Sequence, residues 1–155
     1  KSCVTGSLYP GIEKSIRFVL DKIGVTYIDD PCQSSCTGFA YHTGVVPLRA
    51  NLAINARNFS LASGRSIVCT CPTSYGNLKE CREILASDAE QKEYTAGVMN
   101  NIGRALDISP GVHHVSEGRR GQVVLAKVSG ERVTQHGAAI LGCHMAPCQA
   151  WDGNP

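Results

Sequence analysis

No apolar run in this chain approaches the length needed to span a bilayer, so the sequence offers no membrane helix. Lys1 and Ser2 lead straight into a polar, Gly-containing stretch, so no signal peptide is expected. Aromatic residues make up 6% of the chain and are not interleaved with any basic stripe, which argues against a nucleic-acid partner. The formal net charge is +2 and the charges are mixed, so neither sign dominates. There is no nucleophile-elbow pattern, and the glycine spacing forms neither a dinucleotide fingerprint nor a phosphate loop. Cofactor-free hydrolysis is therefore a poor fit.

Cysteine is what the chain does have: eight in 155 residues, at Cys3, Cys32, Cys36, Cys69, Cys71, Cys81, Cys143 and Cys148. A chain of this length is expected to be one domain, or one and a fraction, with a core that needs no covalent staples. That weighs against a disulfide scaffold and favours a reducing, cytoplasmic compartment, where clustered thiols serve metal or redox chemistry. Cys32 and Cys36, Cys69 and Cys71, and Cys143 and Cys148 fall in close pairs beside Gly or Pro, as expected of loops. A chain that opens without Met and closes on the polar Asp152–Pro155 reads as part of something longer.

Between the clusters the hydrophobic pattern alternates. Ile12, Ile16, Val19, Leu20 and Ile23 recur at helical spacing between Pro10-Gly11 and Gly24. Val25 to Ile28 reads as a short strand. Leu48, Leu52, Ala56 and Phe59 mark a helix from about Pro47 to Ser63, and Ser66 to Cys69 reads as another strand. Two helical stretches follow, Leu78 to Leu85 and Ala89 to Leu106, with Ser87 or Asp88 as a cap for the second. Val112 to Ser129 reads as weakly helical or irregular. Ala138 to Leu141 is a last apolar run before Cys143. Strands alternating with helices predict an α/β fold with a mainly parallel, Rossmann-like sheet. In such sheets sites form beyond the carboxyl ends of the strands, where these cysteine loops are expected to converge.

The cysteines with their flanks resemble the CCG, or cysteine-rich, domain of the heterodisulfide reductase B-subunit family. Cys3 with Tyr9-Pro10-Gly11-Ile12-Glu13-Lys14 is similar to the family's first cysteine and following helix. Cys36-Thr37-Gly38 resembles the Cys-Cys-Gly loop, and Ala56-Arg57-Asn58 the helix between loops. Cys71-Pro72-Thr73-Ser74-Tyr75-Gly76-Asn77-Leu78 resembles the Cys-x-x-Cys loop. His136 and Gly142-Cys143-His144-Met145 resemble the opening of a second copy. The resemblance implies a cysteine-rich domain over residues 1–135, with 136–155 starting a second, incomplete motif.

It also implies an oxidoreductase subunit that holds an iron–sulfur cluster, a non-cubane 4Fe–4S type among the candidates. Such a subunit passes electrons to or from a small disulfide, thiol or quinone. Other iron–sulfur and flavin subunits would be its partners, and it would be cytoplasmic or peripheral at the membrane through them. Cys3, Cys36 and Cys71 fall on ligand positions, Cys69 and Cys32 lie close enough to substitute, and Cys143 opens the second site. Two family cysteines are replaced, by Thr37 and Ser74, and hydroxyls are hard ligands where such clusters take soft thiolates. A zinc-bound or metal-free structural subunit therefore stands as an alternative. So does a thiol–disulfide switch at Cys69/Cys71 or Cys32/Cys36. Cys81 is expected to be a half-buried helix thiol, and His42 a candidate proton donor. His113-His114 are expected at a surface or helix contact.

Overall fold

The computed structural model describes residues 9–22 and 24–116. Helix α1, Pro10–Lys22, begins on a proline, carries Glu13 in its first turn and ends on Lys22, charges that suit the helix dipole. Gly24 closes it in the left-handed conformation at φ 69°, and the Val25 N–H returns to the Leu20 carbonyl at 2.9 Å. The strand expected over Val25–Ile28 does not form; this run has no ladder partner among the described residues. It leads into an Asp30 turn, where the carboxylate accepts from the Cys32 N–H at 2.7 Å.

Helix α2, Gly38–His42, is a single short turn inside the first cysteine loop that the hydrophobic pattern does not reveal. Helix α3 spans Leu48–Ala62, starting after Pro47 and stopping where Ser63 and Gly64 turn left-handed. Strand β1, Ile67–Cys69, matches the expected run. Helix α4, Pro72–Ser87, starts a turn and a half before the first apolar repeat, because Pro72 at its first position needs no amide partner. Helix α5, Ala89–Asn101, is capped by Asp88, which accepts from the Gln91 N–H at 3.1 Å. It ends before the expected Leu106, because Gly103 turns left-handed at φ 71°. Residues Val112–His114 form strand β2 rather than an irregular stretch.

Strands β1 and β2 pair in parallel, with Ile67 opposite Val112 and Cys69 opposite His114. The connection between them is the α4–α5 hairpin, so this part of the chain is a strand–helix–helix–strand crossover. The fold is mixed helix and strand around a small parallel pair, compatible with an α/β class. The core joins Leu52, Ala56 and Phe59 of α3 to Ile67 of β1, Leu78 and Leu85 of α4, and Met99 of α5. Leu52, Phe59, Leu85 and Met99 are wholly buried. Each such side chain stabilises the fold by about 1.5–3 kcal/mol relative to exposure. A second cluster sets Ile16 and Leu20 of α1 against Val115, just after β2. No helix among the described residues is long and apolar enough to cross a membrane.

Candidate functional site

The loops that carry two of the cysteines meet at Ser74, in the first turn of α4. Cys71 leaves β1 and stands as the residue before the helix, while Cys36 precedes α2 on the neighbouring loop. Gly38 lets the two loops close. A Cβ at that position would lie 2.8 Å from Asn77 Cβ and 3.2 Å from the Thr73 carbonyl oxygen. With only hydrogen there, α2 packs directly on the first turns of α4. The buried Cys36 thiol then donates to Ser74 Oγ at 3.1 Å, and the Gly38 N–H approaches Cys36 Sγ at 3.4 Å. Half-buried Cys71 is acidified. Burial alone would raise its thiol, but hydrogen bonds from the Ser74 and Thr73 N–H and hydroxyl groups outweigh that and hold it below the ordinary thiol range.

Beneath Cys36 lies a set of amides that the cysteine pattern does not point to. Asn51 and Asn55 on α3 and Asn77 on α4 are each fully buried. The Cys36 carbonyl accepts from Asn77 Nδ2 at 2.6 Å and from Asn55 Nδ2 at 2.9 Å. Asn51 Nδ2 donates to Asn77 Oδ1 at 2.8 Å, and Asn55 Nδ2 reaches Asn51 Oδ1 at 3.0 Å. Asn58, also buried, accepts from the Ser34 N–H at 3.1 Å and so ties down the chain leading to Cys36. Thr37 has φ 57°, a left-handed conformation that costs a β-branched residue about 1–3 kcal/mol. Its hydroxyl lies 2.6 Å from the Cys36 carbonyl oxygen and 2.7 Å from Asn51 Oδ1, and its one proton serves these two acceptors. A signal for this cluster is present in the sequence: Asn51, Asn55 and Asn58 each immediately precede Leu52, Ala56 and Phe59, inside the core stripe of α3.

The other expected site residues are spread more widely. Cys69 is buried at the end of β1. Cys32 is exposed, and its carbonyl accepts from Arg57 at 2.9 Å. Cys81 is fully rather than half buried; its sulfur accepts from Asn51 Nδ2 at 3.3 Å and Asn55 Nδ2 at 3.5 Å. Burial pushes its thiol up to about 12, partly opposed by the Asn55 hydrogen bond. Cys3, Cys143, Cys148, His136 and His144 lie outside the described residues. No disulfide joins the described cysteines. Among the described residues no three His, Cys, Asp or Glu side chains gather closely enough to hold a metal ion.

His42 is largely exposed, its Nε2 3.8 Å from Glu80 Oε2. His114 ends β2, edge-on to Tyr75 of α4, with Nδ1 2.6 Å from Ser116 Oγ, while His113 is exposed on the same strand; the pair thus sits at a helix contact and at the surface, as expected. A cleft of about 670 Å³ opens beside the site, lined by Cys36, Cys69, Thr70 and Ser74 on one side and by Ile16 and Leu20 of α1 on another. Soft sulfur, an activated thiol and an adjoining part-apolar cleft together suit thiol, disulfide or metal–thiolate chemistry.

No family model matches the chain. Among curated proteins it is 36% identical over 106 residues to the B subunit of the ferredoxin:CoB-CoM heterodisulfide reductase of Methanosarcina acetivorans, covering 66% of this chain and 34% of that protein. The B subunit of a ferredoxin/F(420)H(2)-dependent CoB-CoM heterodisulfide reductase from the same organism is 30% identical over 119 residues, 76% of this chain and 39% of its own length. The corresponding B subunit of the ferredoxin:CoB-CoM heterodisulfide reductase of Methanosarcina mazei is 26% identical over 117 residues, 74% of this chain and 39% of its own. The matched stretch thus spans between a third and two fifths of these relatives. With that similarity extending over two thirds to three quarters of its length, the chain belongs to the heterodisulfide reductase B-subunit family.

Proposed function

We propose that this chain carries the first cysteine motif, of CCG type, of an iron–sulfur redox subunit that passes electrons to or from a disulfide, thiol or quinone acceptor. The observation that carries the reading is the meeting of the two loops: Cys36 Sγ lies 3.1 Å from Ser74 Oγ, and Cys71 sits three positions before Ser74 at the same helix start. Cys36 and Cys71 supply soft sulfur at helix starts, the donor type that iron takes. Cys3, Cys69 and Cys32 are the further candidates for the first site, and Cys143 for a second one within residues 136–155. Cys81 does not fit a ligand role, since its buried sulfur already accepts two amides and resists ionisation. Thr37 and Ser74, at positions where the family pattern has cysteine, supply hydroxyls: one turned into the asparagine cluster, the other onto Cys36.

A bound cluster would supply one-electron transfer. The chain's own residues would hold it, shield it on the core side and tune it through the Gly38, Thr73 and Ser74 donors. Other iron–sulfur and flavin subunits would complete the assembly. They would place it in the cytoplasm or at the membrane surface. Anaerobic reconstitution with iron and sulfide tests this: a brown protein is expected, with iron matched by sulfide, and Cys36→Ser and Cys71→Ser are expected to lose both. Colourless, iron-free protein after reconstitution would sink the proposal.

The hydroxyl of Ser74 beside Cys36 favours one second reading, a zinc-bound or metal-free structural subunit. Stoichiometric zinc that iron and sulfide do not displace would select it.

A further inference from the structure

Asn55 and Asn77 lie inside helices, and Asn51, in the first turn of α3, bonds to Asn77 and Cys81 rather than to a helix end, so capping explains none of them. A core gains more from apolar side chains there, because buried amides must all be satisfied at once. The Asn77 and Asn55 donors instead converge on one backbone atom, the Cys36 carbonyl oxygen, at 2.6 and 2.9 Å, and Asn51 Nδ2 donates to Asn77 Oδ1 behind them. The next residue, Thr37, is held left-handed, with its hydroxyl against Asn51. The residue after that presents its N–H to the Cys36 sulfur. Backbone, strained turn and thiol are therefore fixed by one set of side chains.

We propose that the Asn51–Asn55–Asn77 cluster positions the Cys36 thiol, holding its sulfur on the Gly38 N–H and the Ser74 hydroxyl. All three are positioning residues; none touches the reacting sulfur. Any consequence for cluster binding rests on the reading of Cys36 as a ligand, but the positioning itself is measurable on reduced, metal-free protein. Failure of iron reconstitution therefore leaves this proposal standing, and its own failure leaves the cluster reading standing.

The test is residue-resolved thiol–disulfide exchange of the whole chain with a small aromatic disulfide, read by mass spectrometry of peptides. Amide hydrogen exchange at Gly38 is followed alongside. In Asn77→Ala the Cys36 rate is expected to change roughly tenfold relative to Cys71 in the same sample, with loss of Gly38 amide protection. Asn77→Asp, which keeps the shape but removes the donor nitrogen, is expected to behave like Asn77→Ala. Leu85→Ala is the control: it opens a cavity in the same core and should move the buried thiols together. If Asn77→Ala does not fold, Asn55→Ala removes the other donor to the same carbonyl and carries the comparison. Cys36 and Cys71 rates that move in step, as in Leu85→Ala, or a native-like Asn77→Asp, overturn the proposal.

Discussion

One methyl group at position 38 separates packing from propensity. Gly38 opens α2 and is not among the left-handed glycines, so helix propensity alone makes Gly38→Ala stabilising by about 0.5–1 kcal/mol. The tertiary structure reverses the sign. The new Cβ would sit 2.8 Å from Asn77 Cβ, 3.1 Å from Asn77 Cγ and 3.2 Å from the Thr73 carbonyl oxygen. Thr73 O belongs to the first turn of α4 and has little freedom to yield. Asn77 can move only by releasing the Cys36 carbonyl, which it holds at 2.6 Å. Overpacking of this kind costs about 1–3 kcal/mol. Stranding a buried amide donor costs about another 1–3 kcal/mol. After the propensity gain is subtracted, a net loss of at least about 1 kcal/mol, with a middle value of about 3 kcal/mol, is expected. In urea unfolding of reduced protein that lowers the midpoint by about 1 M with the slope unchanged. Gly76→Ala provides the control, since its Cβ meets nothing within 4 Å in the middle of α4, and it should stabilise. A Gly38→Ala protein as stable as the parent would refute the close contact between the Cys36 and Cys71 loops.

Four further outcomes follow from the same geometry. Cys81 is ionised more easily unfolded than folded, because its ordinary value near 9 rises to about 12 on burial. Its contribution to stability is therefore intact below pH 9 and lost as pH rises toward 12, and Cys81→Ala should flatten that alkaline decline in denaturant midpoints. Cys71 has the opposite sign: its folded value is lowered, so its contribution is present above the unfolded value and fades as pH falls through the folded one. Alkylation of Cys71 should accordingly begin at lower pH than in the unfolded chain, and Ser74→Ala should move it upward; an unmoved profile would discount the Ser74 hydroxyl. Ser74→Cys should form a disulfide with Cys36 on mild oxidation, seen as a linked peptide pair, because the two side chains already touch at 3.1 Å. Asp88→Ala removes the cap of α5 and is expected to cost about 1 kcal/mol in thermal or urea unfolding.

The expectations that match the structure rest on strong local signals. Helix α3 is legible because its apolar positions recur with helical period between Pro47 and Gly64, and β1 because a β-branched run ends at Cys69. The run Val25–Ile28 has the same composition as a strand, yet it finds no partner among the described residues, and a strand exists only by pairing. The reverse holds for Val112–His114, three residues too short to register as a pattern. They become a strand because Ile67–Cys69 lies alongside in parallel register.

The site divides along the same line. The sequence by itself determined which reactive groups the chain offers: the thiols of Cys36 and Cys71, their place beside Gly and Pro, and the hydroxyls at Thr37 and Ser74. Side-chain chemistry is a property of residue identity and needs no fold. Only the tertiary structure decided what those groups touch. Ser74 is 38 positions from Cys36, and Asn77 is 41 positions from the carbonyl it holds. Such pairings are set by how α3 and α4 pack, and local periodicity carries no information about them. For the same reason only packing shows that Cys81, expected half-buried, is fully buried against Asn51 and Asn55, and that Asn55 and Asn77 bond to the Cys36 carbonyl.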